Sequence, residues 1–300
     1  MKQPPYILVV NGTKVRRPVF VLGAPHSGVG LLARALGRAP GLLLGSGHEA
    51  VMNAVYTVAR RPSVAEERAS GTAALLRDAF AESWQLTPGN CERCPDARRP
   101  ARETAEPCPH ASGTTAYGDA SPDLLYTAPV LAAAFGDAAF VQIIRDGRDV
   151  VADMLGDERE TAWFRPGGMS LDGELPHPFF GVETEEERDR HPSLSEAAKC
   201  AMRWRGAVRL SARLRSELGP DRLMTLRYED LGGREVETAE QLLAFTGIRV
   251  SAVELVEAGA APPGSHRARL TAEQRADVHA VARTELSRLG YTKSSARASR

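Results

Sequence analysis

Apolar positions along the chain fall into short unbroken runs, each closed by a break and followed by helical spacing. Val19-Phe-Val-Leu22 ends at Gly23, and Leu31, Leu32, Ala35 and Leu36 then recur at helical intervals up to Gly37 and Ala39-Pro40-Gly41. Ala138-Ala-Phe-Val-Gln-Ile-Ile144 repeats the arrangement ahead of a charged helix running from Arg145 to Leu155. A third, shorter strand is expected in Arg222–Leu231, before a helix carrying Leu242, Leu243 and Phe245. Ahead of them all, Tyr6–Val10, the turn pair Asn11-Gly12 and the run ending at Leu22 read as a hairpin-like opening. Strands that lack polar alternation and are interleaved with helices are covered on both faces. The pattern therefore predicts an α/β fold, three-layer αβα around a central, mainly parallel sheet. Ligands on such sheets bind at the carboxyl ends of the strands.

Two stretches break the repeat. Residues 86–118 are rich in Pro, Arg, Cys and Gly, and residues 157–200 are polar with the scattered aromatics Trp163, Phe164, Phe179 and Phe180. Both read as insertions above the sheet, where substrate contacts and lids sit. The chain is expected to form one domain over residues 1–292, with 293–300 as a disordered tail. Its 300 residues, 43% hydrophobic and 25% charged, are enough for a sizeable core. Thirty-eight basic side chains balance 38 acidic ones, so no overall field draws the molecule to nucleic acid or to an anionic membrane. Any anion site must be local. No apolar run approaches the roughly 20 residues of a membrane span, and the start carries no leader pattern, which points to a cytoplasmic protein.

The turn Gly23-Ala24-Pro25-His26-Ser27-Gly28 folds tightly enough to aim backbone N–H groups inward, and a helix starting near Val29 adds its positive end. Together these make an anion cradle. Gly23 and Gly28 have the Walker spacing, but Val29 and Gly30 stand where that pattern has Lys and Ser/Thr. Magnesium and a γ-phosphate lose their usual ligands, which favours a nucleotide held without metal. The plainer reading is an ordinary glycine turn.

In order and separation, Pro25-His-Ser-Gly-Val-Gly30, Ile144-Arg-Asp-Gly-Arg-Asp-Val150, Trp204, Arg227-Tyr-Glu-Asp-Leu231 and Leu289-Gly-Tyr291 resemble bacterial members of the PAPS-dependent sulfotransferase family, whose fold is P-loop NTPase-like. The likeness covers about residues 17–292. It implies that the segment Ala24, Pro25, His26, Ser27, Gly28, Val29 and Gly30 holds the 5′-phosphosulfate end of 3′-phosphoadenosine 5′-phosphosulfate (PAPS), with adenosine 3′,5′-bisphosphate (PAP) as product. It further implies that Arg145 grips the 3′-phosphate, that Tyr228 lies by the adenine, and that Gly264–Arg267 closes over the donor with Arg267 as a further phosphate ligand. A guanidinium at a strand end suits that role because its fork matches phosphate. The residues themselves leave open a salt bridge of Arg145 or Arg148 with Asp146, Asp149 or Asp153, and a core position for Tyr228.

This chain departs from the family's pattern at four positions. His26 replaces a Lys or Arg, Gly30 a hydroxyl residue, Ala120 a Lys, and Asp153 a serine that touches the 3′-phosphate. His26 would then steady charge at the reacting centre only when protonated. Transfer to an acceptor hydroxyl or amine also needs a proton acceptor. Glu49 is the base that the resemblance favours, with His48 and Asp119 as the other candidates. The expected activity is sulfuryl transfer to a small-molecule, carbohydrate or natural-product acceptor. The alternatives are a catalytically weakened nucleotide-binding protein of the same fold and a P-loop kinase. Finally, Cys91, Cys94, Cys108 and His110 offer three thiolates and an imidazole for a structural zinc, against the alternative of a loop with free thiols. The sequence does not give an oligomeric state.

Overall fold

The computed structural model describes residues 7–67, 69–87, 91 and 108–292. The turn at Asn11-Gly12 forms as expected, but its arms are only β1 (Val9–Val10) and β2 (Thr13–Lys14), paired antiparallel. The following run, β3 (Val19–Gly23), is not the second arm of that hairpin and belongs to a separate five-stranded sheet. All five of its residues are buried. A two-stranded ribbon leaves one face in water and cannot hold such a run, whereas a sheet covered on both sides can.

After β3 the chain forms α1 (Val29–Leu36), β4 (Leu42–Gly45), α2 (Glu49–Arg60), α3 (Ser63–Glu67) and α4 (Ala69–Trp84). Next come β5 (Ala116–Ala120), α5 (Ala128–Ala134), β6 (Ala139–Ile144), α6 (Gly147–Leu155), α7 (Glu158–Ala162), α8 (Glu185–Arg190) and α9 (Glu196–Leu218). The last elements are β7 (Leu223–Arg227), α10 (Glu235–Thr246), α11 (Ala252–Glu257), α12 (His266–Arg269) and α13 (Ala272–Arg288). The sheet order is β4-β5-β3-β6-β7, with every pairing parallel. Two strands thus join the three expected ones, and β5 begins inside the stretch read as an insertion.

Residue parity builds the three layers. Phe20, Leu22, Tyr117 and Phe140 point to one face, where Val55, Phe80, Leu131 and Trp204 of α2, α4, α5 and α9 cover them. Val19, Val21, Val141 and Ile143 point to the other, under Leu32 and Leu36 of α1, Leu242 of α10 and Leu255 of α11. Each large side chain buried in this way stabilises the fold by about 1.5–3 kcal/mol.

Within residues 157–200, read as an insertion, the aromatics pack inward. Phe179 and Phe180 are fully buried, with Phe179 against Tyr56 and Trp163 and Phe180 against His177 and His191. Phe179 and Phe180 belong to the core and the half-buried Trp163 and Phe164 pack against it, while the polar letters around them face outward on α8 and in the turns. Most of 86–118 and the tail 293–300 lie outside the described residues. Among the described residues, no helix is long and apolar enough to cross a membrane.

Candidate active site

Chain order and sheet order part company at β3. The chain passes through α1 to β4 on one side of β3 and later returns to β6 on the other side. In parallel sheets such a reversal marks the ligand-binding end of the strands, and the Gly23–Gly30 turn follows the carboxyl end of β3 there. Gly28 has φ +108°, and a Cβ there would lie 2.6 Å from Cδ2 of Tyr228, so only glycine fits. The Ser27 N–H donates to the Ala24 carbonyl (3.0 Å) and tightens the turn. Gly28 is also the N-cap of α1 and supplies no side-chain cap, and the first turn carries no acidic residue. The N–H groups of Val29, Gly30 and Leu31 therefore have no partner within the helix, the arrangement with which a helix head can receive an anion. Ala24, Pro25, Ser27 and Val29 are buried, His26 and Gly28 partly so, and Gly30 is exposed.

Arg145 follows the last residue of β6 and is buried. Its Nη1 donates to the His26 carbonyl (2.8 Å) and to Asp153 Oδ2 (2.5 Å), and its guanidinium lies 4.1 Å from the centre of the Tyr228 ring. Of the salt bridges that the sequence left open, Arg145–Asp153 and Arg148–Asp146 are formed. The Arg145 pair uses only one corner of the fork, because Nε and Nη2 are buried and have no partner among the described residues. Those two nitrogens form the edge with which a guanidinium grips phosphate or carboxylate side-on.

Tyr228 lies in the 3₁₀ turn Tyr228–Leu231, not on the expected strand, because β7 stops pairing at Arg227, opposite Ile144. The Tyr228 ring is buried and its hydroxyl accepts from Ala261 N–H (2.7 Å), so the core reading of this residue is realised. Arg267 is exposed. Arg269, two residues on, makes the ion pair with Asp153. The segment before it is pinned by Asp149, which accepts from the N–H groups of Gly264 (2.7 Å) and His266 (2.8 Å), from Ser265 Oγ (3.2 Å), and faces His266 Nδ1 at 2.8 Å. His26 has φ +60°, and its Nε2 lies 3.5 Å from Asp157 Oδ2. Arg159 holds the Asp157 carboxyl below the usual range, with His26 adding to the effect.

The three base candidates are close in the fold but unlike in environment. Ser46 Oγ donates to the Ala120 carbonyl (3.2 Å) and Gly47 N–H to Ser121 Oγ (2.8 Å), which lays the start of α2 over the end of β5. Glu49 opens α2 and is exposed; His48 is its N-cap, half-buried, with Nδ1 buried and unpartnered. Asp119 is wholly buried on β5, and desolvation pushes its carboxyl up to about 6. Ser121 donates to its Oδ1 (2.8 Å), Oδ2 has no partner, and a Cβ at Gly45 would lie 2.8 Å from that Oδ2. The absence of a side chain at Gly45 leaves room for that oxygen.

Nothing in the fold supports the zinc set, half of which lies outside the described residues. Cys91 and Cys108 are buried, whereas Cys94 and the side chain of His110 lie outside the described residues. A different trio, Asp146, Asp149 and His266, has ligand atoms within 4.8 Å of one another. Its carboxylates are already taken by Arg148, by backbone N–H groups and by His266 itself, so it serves packing rather than metal binding. Asp149, Asp157 and Arg269 surround the site without having been singled out from the sequence as site residues. Asp149 lies inside a quoted motif, but nothing in its spacing marks it as the anchor of a segment more than a hundred residues away.

The model of the sulfotransferase family matches residues 18–175, more than half of the chain. The chain belongs to the sulfotransferase family. A comparison with curated proteins found no match. Among solved structures, a sulfotransferase from Alicyclobacillus acidocaldarius is 18% identical, with 92% of this chain and 96% of that chain covered at a TM-score of 0.47. The sulfotransferase domain from the Synechococcus PCC 7002 olefin synthase is 13% identical over 95% and 97% of the two chains, with a TM-score of 0.47. Mouse sulfotransferase SULT7A1 complexed with PAP is 13% identical over 92% and 87%, with a TM-score of 0.45.

Proposed function

We propose that this sulfotransferase moves a sulfuryl group from PAPS to a hydroxyl or amine of a small-molecule acceptor, without a metal ion. One observation carries the reading. The head of α1 is uncapped and carries Val29 and Gly30 where a metal-dependent loop would carry Lys and Ser/Thr, and the adjoining Arg145 keeps its Nε and Nη2 edge unpartnered among the described residues. A buried, unspent cation beside a helix head fits an anionic nucleotide.

PAPS supplies an activated sulfur–oxygen bond. Ala24–Gly30 would hold its 5′-phosphosulfate end and Arg145 its further phosphate, with Tyr228 supporting Gly28 and Arg145 from beneath. In the transfer, the acceptor oxygen or nitrogen forms a bond to sulfur and the bond from sulfur to the phosphate oxygen breaks, leaving PAP. The acceptor proton passes to Glu49, the exposed carboxylate at the head of α2. His26, whose Nε2 lies 3.5 Å from Asp157 Oδ2, is placed to donate to charge that develops at the loop.

Transfer of labelled sulfate from PAPS to a panel of phenols, alcohols, amines and sugars tests the reading. We expect at least one acceptor to turn over. Glu49→Gln should lower kcat by about 10²–10⁴-fold while PAP still binds. Binding of PAP without turnover of any acceptor would favour the nucleotide-binding alternative, which the Asp153 carboxylate on Arg145 supports.

A further inference from the structure

Arg145 is a buried cation whose one carboxylate partner among the described residues is shared. Asp153 gives Oδ2 to Arg145 and Oδ1 to Arg269, and Arg269 Nη2 donates to the Ala152 carbonyl at 2.7 Å. Asp153 stands one helical turn after Asp149 on α6, on the same face. Asp149 fastens Gly264–His266 to that face, and Asp153 fastens Arg269. The segment is thereby held so that a carboxylate stands between two guanidiniums beside the anion-binding turn.

Two arginines against one carboxylate leave one positive charge over, while the buried Nε and Nη2 of Arg145 remain unused. An anion arriving at that edge meets the attraction of both guanidiniums and the repulsion of Asp153, a like charge on the same guanidinium in a poorly solvated site. An anion held by the loop's backbone N–H groups alone does not occupy that edge and feels Asp153 less. Asp153 therefore acts unequally on the two ends of a doubly phosphorylated nucleotide.

We propose that Asp153 sets the donor specificity of this enzyme. It is an internal counter-anion that a second, ribose-borne phosphate must displace from Arg145, and Arg269, rather than Arg267, is the second cation for that phosphate. The proposal rests on the nucleotide reading given above. It means that the wild-type protein separates bisphosphate from monophosphate nucleotides only weakly.

Calorimetric titration with PAP and with adenosine 5′-monophosphate tests it on wild type, Asp153→Asn and Arg269→Gln, with circular dichroism to check folding. The monophosphate keeps the group for the loop and lacks the second phosphate. Asp153→Asn should tighten PAP about tenfold or more, as gaining a charge-assisted contact does, and leave the monophosphate within about twofold. Arg269→Gln, a change at a partly exposed side chain that serves if the first variant fails to fold, should weaken PAP about tenfold and spare the monophosphate. Binding of both nucleotides that ignores residues 153 and 269, or that moves equally for both, overturns this proposal alone. Failure of every folded variant to bind either nucleotide overturns the nucleotide reading and this proposal with it.

Discussion

Gly28 joins two demands in one residue, a left-handed backbone and the absence of a side chain against Tyr228. Gly28→Ala is expected to cost about 1–3 kcal/mol, from strain at φ +108° together with the Tyr228 clash, and to loosen the loop. Urea unfolding measures it; an unchanged midpoint would mean that the turn adapts freely. Arg203 is a second decisive residue. Fully buried, it donates to Asp123 Oδ1 (3.1 Å), pairs with Glu160 and lies 4.0 Å from the Phe179 ring centre, while Tyr56 donates to Asp123 Oδ2 (3.0 Å). Arg203→Ala strands the buried Asp123 and unpairs the half-buried Glu160, and should cost about 3–5 kcal/mol. At this scale the glycine turn was legible, because the backbone dictates its letters. The Arg145–Asp153 pair was legible only as one of several pairings, since spacing on a helix does not say which carboxylate a guanidinium meets.

At the scale of elements, β3, β6 and β7 were legible as apolar runs, whereas β4 and β5 were not recognised as strands. Ala116-Tyr-Gly-Asp-Ala120 holds a glycine and an aspartate, and tertiary contacts override its low strand propensity: Gly118 admits the Val19 carbonyl and Trp84 Nε1 donates to the Gly118 carbonyl (2.9 Å). The motifs Arg227–Leu231 and Leu289–Tyr291 were seen separately, yet they pack on each other. Arg227 donates to the Leu289 carbonyl and covers the Tyr291 ring, and Tyr291 donates to Glu229 Oε2 (2.9 Å). The attachment of α12 to α6 gives a prediction here. Asp149→Ala removes several charge-assisted hydrogen bonds at once, so amide exchange in 264–269 should quicken by about tenfold or more. Unchanged protection would show that the segment is held by other contacts.

Across the whole molecule, buried titrating groups couple stability to pH in opposite senses. Burial lowers the proton affinity of His177 and brings that of His191 down to about 4, so below about 6.5 the unfolded chain takes up protons that the folded chain refuses. Stability from these groups is full above that pH and falls as pH drops toward 4, by roughly 2–3 kcal/mol for His191. Asp119, raised to about 6, works the other way, losing stability as pH rises from about 4 to 6. The difference in urea midpoint between wild type and His191→Phe isolates the histidine. It should shift steadily between pH 7 and 5 in favour of the variant, and a difference independent of pH would contradict that assignment. The sequence alone did not reveal these groups, because buried and solvated histidines share one letter.

The central claim is that a helix head and one arginine grip a doubly phosphorylated nucleotide without a divalent ion. Titration of the protein with PAP, in EDTA and then in magnesium, tests it most directly when repeated on Arg145→Ala. The account predicts one bound PAP per chain, equal affinity in both buffers, and a loss of tenfold or more in the variant. Binding that requires magnesium, or that prefers ATP, would contradict it.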